Sequence, residues 1–456
     1  MKLFNTYSDK VEEFKPIEEG KVKMYVCGPT VYDYAHLGHA RCYITWDVLY
    51  RYLKFKGYDV TYCRNVTDVD DKILKKAENE GKTPQEISQY WYKQFANSMK
   101  NLNTLKPDIE PFATKTLGEM IAMVKELIAK GYAYEVNGDV YFRVKKFPRY
   151  GMLSKQPIDK LESGARIEIG EQKEDPLDFA LWKHDEKFGY NSPWGVGRPG
   201  WHIECSAMIR KHLGKTIDIH AGGADLIFPH HENEIAQSEC ANGCKFVNYW
   251  LHNGFVTINK EKMSKSLGNF LTIDDLMKNY DSNTIRFFIL TNHYRMPVEF
   301  SDEALQSAQA GVKRLTNAKG KVDENFDITK TDEYKAFVDA MDDDLNTSRA
   351  LAVLFDLATK ANKGVEGAYT TLYKLATTLG FTFEKATLSE DEIKSVLDGV
   401  NSKVGKSYAS MEDLIADRNK ARAEKNWDLA DKIRVALDEA GVILKDSKEG
   451  TTWEVK

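Results

Sequence analysis

The chain has 456 residues, with 64 lysines and arginines against 69 aspartates and glutamates and a formal net charge of −5. That length predicts two to four domains with cores large enough to need no covalent help, and the mildly acidic balance excludes indiscriminate attraction to nucleic acid while leaving room for a local basic face. Six cysteines are too few and too scattered for a disulfide framework; with no apolar segment in the first ten residues and no apolar run of spanning length, a cytoplasmic protein without a membrane partner is expected.

Residues 21–26 alternate Val22, Met24 and Val26 with Lys21, Lys23 and Tyr25, which predicts a strand with the first set inward, and Gly28-Pro29 stops it. Residues 38–56 carry Tyr43, Trp46, Val48, Leu49, Tyr52 and Leu53 at helical spacing, with Gly57 as the stop, and residues 59–66 read as a second strand. The string His36-Leu37-Gly38-His39 thus opens the helix of a βαβ unit, where free backbone N–H groups and the helix dipole favour anions. Two imidazoles there can donate to phosphate oxygens as charge builds at phosphorus; two histidines that merely cap a helix are the alternative.

Further along, Thr83-Pro84-Gln85-Glu86 is a capping box with proline at the first helical position, and residues 115–130 predict another helix ending at Gly131. Residues 132–200 mix a strand at 139–144 with proline and glycine breaks, as an insertion between two halves of a nucleotide fold would. Strand character resumes at 217–220 before the Gly222-Gly223 turn. Pro229 then opens a predicted helix on which His230 and Glu234, four apart, share one face. Together with Cys27 and Cys205 they form a donor set of thiolate, imidazole and carboxylate that suits zinc better than magnesium or calcium; buried cysteines and surface histidines without an ion are the alternative. Cys240 and Cys244 are read as packing.

The string Lys262-Met263-Ser264-Lys265-Ser266 falls between an apolar run and a polar helix start at residues 272–275, so it belongs to a loop, and its two lysines suit the negative charge of a departing pyrophosphate. After Pro297 helical periodicity with polar gaps predicts a bundle to about residue 400. Residues 401–410 read as a linker, and Arg418, Lys420, Arg422, Lys425, Lys432 and Arg434 as a basic helical stretch.

The strings at 25–33, 65–73, 197–208 and 228–238, with the lysine-serine string at 262–266, resemble the cysteinyl-tRNA synthetase family over nearly the whole chain. The resemblance implies an α/β fold: a Rossmann-type parallel-sheet catalytic domain with an insertion, then an α-helical bundle and a small C-terminal anticodon-binding domain. The corresponding segments are residues 1–115 and 201–260 for the catalytic halves, 116–200 for the insertion, 261–310 for the lysine loop and stem-contact region, 311–400 for the bundle and 401–456 for the linker and tail.

As a class I synthetase, such a protein would activate L-cysteine with ATP and Mg²⁺ and pass it to the 2′-hydroxyl of the terminal adenosine of tRNA(Cys), acting as a monomer. The resemblance further implies that Cys27, Cys205, His230 and Glu234 hold one zinc ion that accepts the substrate thiolate. Gly28, Thr67, Trp201 and Asp225 would hold the amino and carboxylate groups, with His220 beside the thiol. His36, His39, Lys262 and Lys265 would be catalytic, with His36, His39 and Lys265 on ATP. Arg422, Asp431 and Asp446 would read anticodon bases, and Trp453 would stack on one. Paralogues that join cysteine to an amino sugar share the pocket but lack such a tail.

Overall fold

The computed structural model describes residues 1–157, 172–258, 261–262, 270–383, 390–447 and 450–455. They form two units, Met1–Thr382 and Phe383–Lys456.

In the first unit a short antiparallel pair, β1 (Lys2–Asn5) and β2 (Lys10–Glu13), precedes β3 (Lys21–Val26), α1 (Leu37–Phe55) and β4 (Asp59–Arg64). β3 and β4 run parallel in register from Lys21 opposite Asp59 to Val26 opposite Arg64, which is the βαβ unit that the periodicity predicts. One side chain departs from the expected alternation. Tyr25 is fully buried against the His220 ring at 5.0 Å, because a parallel sheet is covered on both faces.

α2 (Asp71–Glu80), α3 (Pro84–Asn101) and α4 (Leu117–Ala129) follow. The expected capping box opens α3: Thr83 accepts from Glu86 N at 3.2 Å while the Glu86 carboxylate accepts from Thr83 N at 2.8 Å. The insertion is an antiparallel sheet of β5 (Ala133–Val136), β6 (Asp139–Phe142), β7 (Phe179–His184), β8 (Tyr190–Ser192) and β9 (Gly195–Pro199), ordered β5-β6-β7-β9-β8.

The chain then returns through α5 (Ile203–His212) to β10 (Ile217–Gly223), α6 (Glu232–Asn242) and β11 (Val247–Asn253). β10 pairs in parallel with β3, placing Ile219, His220 and Ala221 opposite Met24, Tyr25 and Val26. The order β11-β10-β3-β4 therefore reverses direction between β3 and β10, the place where open α/β sheets leave a crevice at their carboxyl ends. α6 begins later than predicted. Pro229 lies in a π-type turn, Ile227–His231, in which Phe228 is extended (φ −137°, ψ 132°), since a residue before proline is pushed out of the α region.

A small sheet of β12 (Val256–Ile258), β13 (Glu261–Lys262) and β14 (Val298–Phe300) follows, so Lys262 sits in a short strand paired with Thr257; Lys265 lies outside the described residues. α7 (Ile273–Met277), α8 (Ser282–Leu290), α9 (Asp302–Thr316), α10 (Asp332–Asp342), α11 (Thr347–Asn362) and α12 (Ala368–Thr378) complete the unit as its helical part.

The second unit contains α13 (Glu390–Val404), α14 (Met411–Ala423), α15 (Trp427–Glu439) and the hairpin β15 (Val442–Ser447) with β16 (Gly450–Val455). α13 continues through residues 401–404, where a linker was expected. Leu397 and Val400 on this helix are buried with Met411, Leu414 and Ile433, and that apolar anchor outweighs the polar composition of its last turn.

α8 and α1 are locked by buried charge. Arg286, fully buried, donates to Asp47 at 2.8 Å and to the carbonyls of Leu379, Leu102 and Asn103 at 2.8–3.1 Å. Arg286→Ala leaves the buried Asp47 short of a partner and is expected to lower stability by about 3–5 kcal/mol, read from the midpoint of urea denaturation.

Candidate active site and metal centre

The crevice between β3 and β10 opens into a cavity of about 370 Å³ lined by Gly28, His36, His39, Trp201, Asp225 and, at its base, Cys27. His36 is the N-cap of α1. Its Nδ1 accepts from His39 N at 3.3 Å and His39 Nδ1 accepts from His36 N at 3.2 Å, so the two imidazoles form a reciprocal capping box with stacked rings 3.8 Å apart. Because each Nδ1 is an acceptor, each neutral ring carries its proton on Nε2 as a donor.

Behind this cavity, Cys27, Cys205, His230 and Glu234 present ligand atoms all within 4.8 Å of one another, and among the described residues they are one of two sets able to hold a metal ion. Three chain segments deliver them: the end of β3 for Cys27, the first turn of α5 for Cys205, and the turn into α6 with its first helical turn for His230 and Glu234. Cys27 Sγ and Cys205 Sγ are 3.9 Å apart, Cys205 Sγ is 3.6 Å from His230 Nε2, and His230 Nε2 is 3.0 Å from Glu234 Oε1. All four side chains are buried.

The two thiols titrate apart: hydrogen bonding from Cys27 lowers Cys205 to about 6, while burial pushes Cys27 well above the usual thiol range. Burial opposes charge on Glu234 and His230 too, yet His220 and His230 hold Glu234 down to about 2, and Glu234 lifts His230 to about 10. Two thiols, an imidazole and a carboxylate at these separations match the donors of a tetrahedral zinc-type site.

Gly28, Trp201 and Asp225 line the cavity. Gly28 is needed for close approach, since a Cβ there would come within 1.5 Å of the Asn65 carbonyl oxygen. Trp201 is 42% exposed, with its ring 4.4 Å from that of His230. Thr67 and His220 are buried and do not line the cavity. Thr67 Oγ1 donates to Glu204 at 2.7 Å and accepts from Asn65 Nδ2 at 3.2 Å, and Asn65 Oδ1 accepts from Gly28 N at 2.7 Å. His220 Nε2 lies 2.9 Å from Glu234 Oε2, and its ring stacks on Trp250 at 4.5 Å.

In the second unit Arg422 and Asp446 are brought together rather than left apart. Asp446 accepts from Arg418 at 3.0 and 3.1 Å, from Arg422 at 2.6 Å and from Thr451 at 2.7 Å. Asp431 is exposed on α15 and pairs with Arg434 at 3.5 Å. Trp453, opposite Leu444 in the hairpin, is partly buried against the core of this unit.

Three family models match successive parts of the chain: the class I (C) tRNA synthetase catalytic domain at residues 13–310, the DALR domain at 336–385 and the cysteinyl-tRNA ligase anticodon binding domain at 408–453. The chain is 48% identical over 478 residues to a cysteine–tRNA ligase of Shouchella clausii, covering 100% of this chain and 99% of that one. It is 49% identical over 469 residues to that of Francisella tularensis subsp. novicida, covering all of both. The chain belongs to the cysteine–tRNA ligase family. A solved Mycobacterium tuberculosis methionyl-tRNA synthetase in complex with methionyl-adenylate shares the fold, with a TM-score of 0.55, 16% identity and coverage of 79% of this chain and 89% of that chain.

Several residues around the centre of this cysteine–tRNA ligase family member escaped the sequence reading. His202 Nδ1 is 3.0 Å from His230 Nδ1, and burial followed by the charge of His230 holds His202 well below the usual histidine range. As a neutral acceptor it takes the His230 Nδ1–H and holds that ring with Nε2 facing Cys205. His231, Asn65 and Glu204 likewise lay inside the quoted strings without a role, while His252 at the end of β11 lay in none. The available signal was position, for each stands at or near the carboxyl end of a parallel strand or at a helix start.

Arg418, then Thr451 and Arg422, hold the Asp446 carboxyl well below the usual carboxylate range. A depressed folded-state value means that this contact contributes stability above the ordinary carboxylate midpoint, about pH 3.9, and loses it as pH falls through the folded one. A carbon-13 titration of the side-chain carboxyl is expected to place Asp446 below about 3.9, and Arg418→Ala to move it upward.

Proposed function

We propose that the chain activates L-cysteine with ATP, releasing pyrophosphate, and transfers the cysteinyl group from the adenylate to the terminal adenosine of tRNA(Cys), releasing AMP. The observation that carries this reading is the buried Cys27, Cys205, His230 and Glu234 cluster, of which Cys27 also lines the cavity that holds the signature histidines. Zinc fits that donor set, and Mg²⁺ would accompany ATP. A bound zinc ion supplies a soft Lewis acid that binds a thiolate far better than a serine hydroxyl. Selection can therefore rest on sulfur chemistry, where a pocket that measures size alone would fail between near-isosteres.

The remaining chemistry is positioning and charge stabilisation. Asp225 is the charge partner for the substrate ammonium, Gly28 allows close backbone approach, and Trp201 walls the cavity. Thr67, held by Asn65 and Glu204, acts behind them by bracing Asn65, whose Oδ1 accepts from Gly28 N. His36 and His39 offer Nε2–H donors to phosphate oxygens at the N-terminus of α1, while Lys262 and Lys265 would neutralise the pyrophosphate. The substrate carboxylate attacks the α-phosphorus and expels pyrophosphate; the 2′-hydroxyl of the tRNA then attacks the adenylate carbonyl and expels AMP. The tail, with Arg422, Asp431, Asp446 and Trp453, is assigned to the anticodon. The Arg422–Asp446 pair supports a view in which the two act as one preformed polar unit, and the partial burial of Trp453 limits stacking to its open edge.

The deciding experiment is ATP–pyrophosphate exchange with cysteine and with serine, before and after metal removal, followed by charging of tRNA(Cys). Cysteine-dependent exchange that is lost with the metal and restored by zinc is expected, with serine inactive throughout. Equal exchange with serine, or indifference to the metal, would reject zinc selection. Lys265→Ala is expected to slow single-turnover adenylate formation by about 10²–10³-fold with a much smaller change in ATP affinity.

A further inference from the structure

Cys27 and Glu234 face two sets of neighbours. On one side stand Cys205 and His230; on the other the ligand atoms of His220 and His231 also lie within 4.8 Å of those of Cys27 and Glu234. Cys27 Sγ is 3.3 Å from His231 Nε2 and 3.7 Å from Glu234 Oε1, and His231 Nε2 is 4.0 Å from that same oxygen. Metal–sulfur bonds of about 2.3 Å and metal–nitrogen bonds of about 2.0 Å in a tetrahedron give ligand–ligand edges of roughly 3.3–3.8 Å. The triangle of Cys27, His231 and Glu234 falls near that range, and all three side chains are buried.

The hydrogen bonds behind His231 have the form that a metal-ligating imidazole requires. Its Nδ1 lies 2.8 Å from His252 Nε2, and His252 Nδ1 lies 2.8 Å from Thr6 Oγ1. With His231 Nδ1–H donating to His252 and His252 Nδ1–H donating to Thr6, the lone pair of His231 Nε2 faces Cys27 Sγ. Space for the ring comes from Gly222, where a Cβ would meet His231 Cε1 at 3.0 Å. His220 is different: its Nδ1 is buried with no hydrogen-bond partner among the described residues, so ligation through Nε2 would strand an N–H at Nδ1. Its Nε2–H instead holds Glu234 Oε2 and leaves Oε1 on the edge shared with Cys27.

We propose that the Cys27–Glu234 edge supports a second divalent-cation position on its His231 side, suited to a soft or borderline ion such as Zn²⁺, Co²⁺ or Cd²⁺. This rests on the preceding reading of Cys27, Cys205, His230 and Glu234 as the primary zinc ligands. The second position is the weaker one, because the first adds two ligands of its own, Cys205 and His230, to the shared pair, whereas the second adds only His231. Three potential anions, Cys27, Cys205 and Glu234, offset most of the charge of two such ions, so double occupancy does not leave a large uncompensated charge in the interior.

The test uses the full-length protein stripped with a chelator and titrated with Co²⁺, following thiolate-to-cobalt absorption and counting bound metal after gel filtration. The wild type is expected to take up a second equivalent at higher cobalt concentration. His231→Ala should abolish that phase and leave the tight one. His252→Ala, which removes only the orienting partner, should weaken the second phase by about 10–100-fold while circular dichroism stays that of the wild type. Saturation of the wild type at one equivalent, or a second phase untouched by both histidine variants, overturns the proposal. Cys205→Ser tests the primary position separately: if the tight phase survives there, the reading of the primary ligands fails, while the His231 phase still decides this one.

Discussion

Parallel pairing of β3 with β10 is the contact on which the site depends. Nearly two hundred residues separate Met24 from Ile219, yet their register sets Cys27 beside the carboxyl end of β10 and, through it, the turn that carries His230 and the start of α6 that carries Glu234. The βαβ hand of β3, α1 and β4 fills one side of β3 and leaves the other edge for the returning strand. The crevice is thus a product of strand order. Among the described residues, Cys27, Gly28, His36, His39, Trp201 and Asp225 line it.

Electrostatics make the centre an unusual interior. Two thiols, a carboxylate and several imidazoles are buried within a few ångströms, where isolated charges would be strongly disfavoured. Protons already divide the groups into donors and acceptors: Cys205 is drawn toward thiolate, Cys27 is kept as a thiol, and His230 and Glu234 form an ion pair. A cation entering this cluster replaces protons with a single centre of positive charge, which is why such ligand sets are tolerated in a core. The histidines around it fix ring orientation, and Asn65, Thr67 and Glu204 do the same for the neighbouring wall of the crevice.

The parts of the crevice are held by different means. His36 and His39 close their own helix through mutual capping, a local contact three residues apart, and their rings also meet Phe270 and Phe95. Around the buried cluster, orientation comes from long-range contacts such as Thr67 to Glu204 and His230 to His202. In the second unit Asp446 gathers Arg418, Arg422 and Thr451 into a network that orders the hairpin against α14.

What the sequence determined by itself follows from local rules. The strand at Lys21–Val26, the helix after His36, the Thr83 capping box and the spacing of His230 and Glu234 need only side-chain period, capping chemistry and turn residues, all of which act within a few positions. The family strings named the candidate ligands. Only the tertiary structure decided that Tyr25 is buried, that α13 extends through the expected linker, that α6 starts after an irregular proline turn, and that Arg422 and Asp446 pair. Only it showed that Cys27 and Glu234 are shared by two ligand sets, because His231, His252 and Thr6 meet through sheet register, which no local pattern encodes.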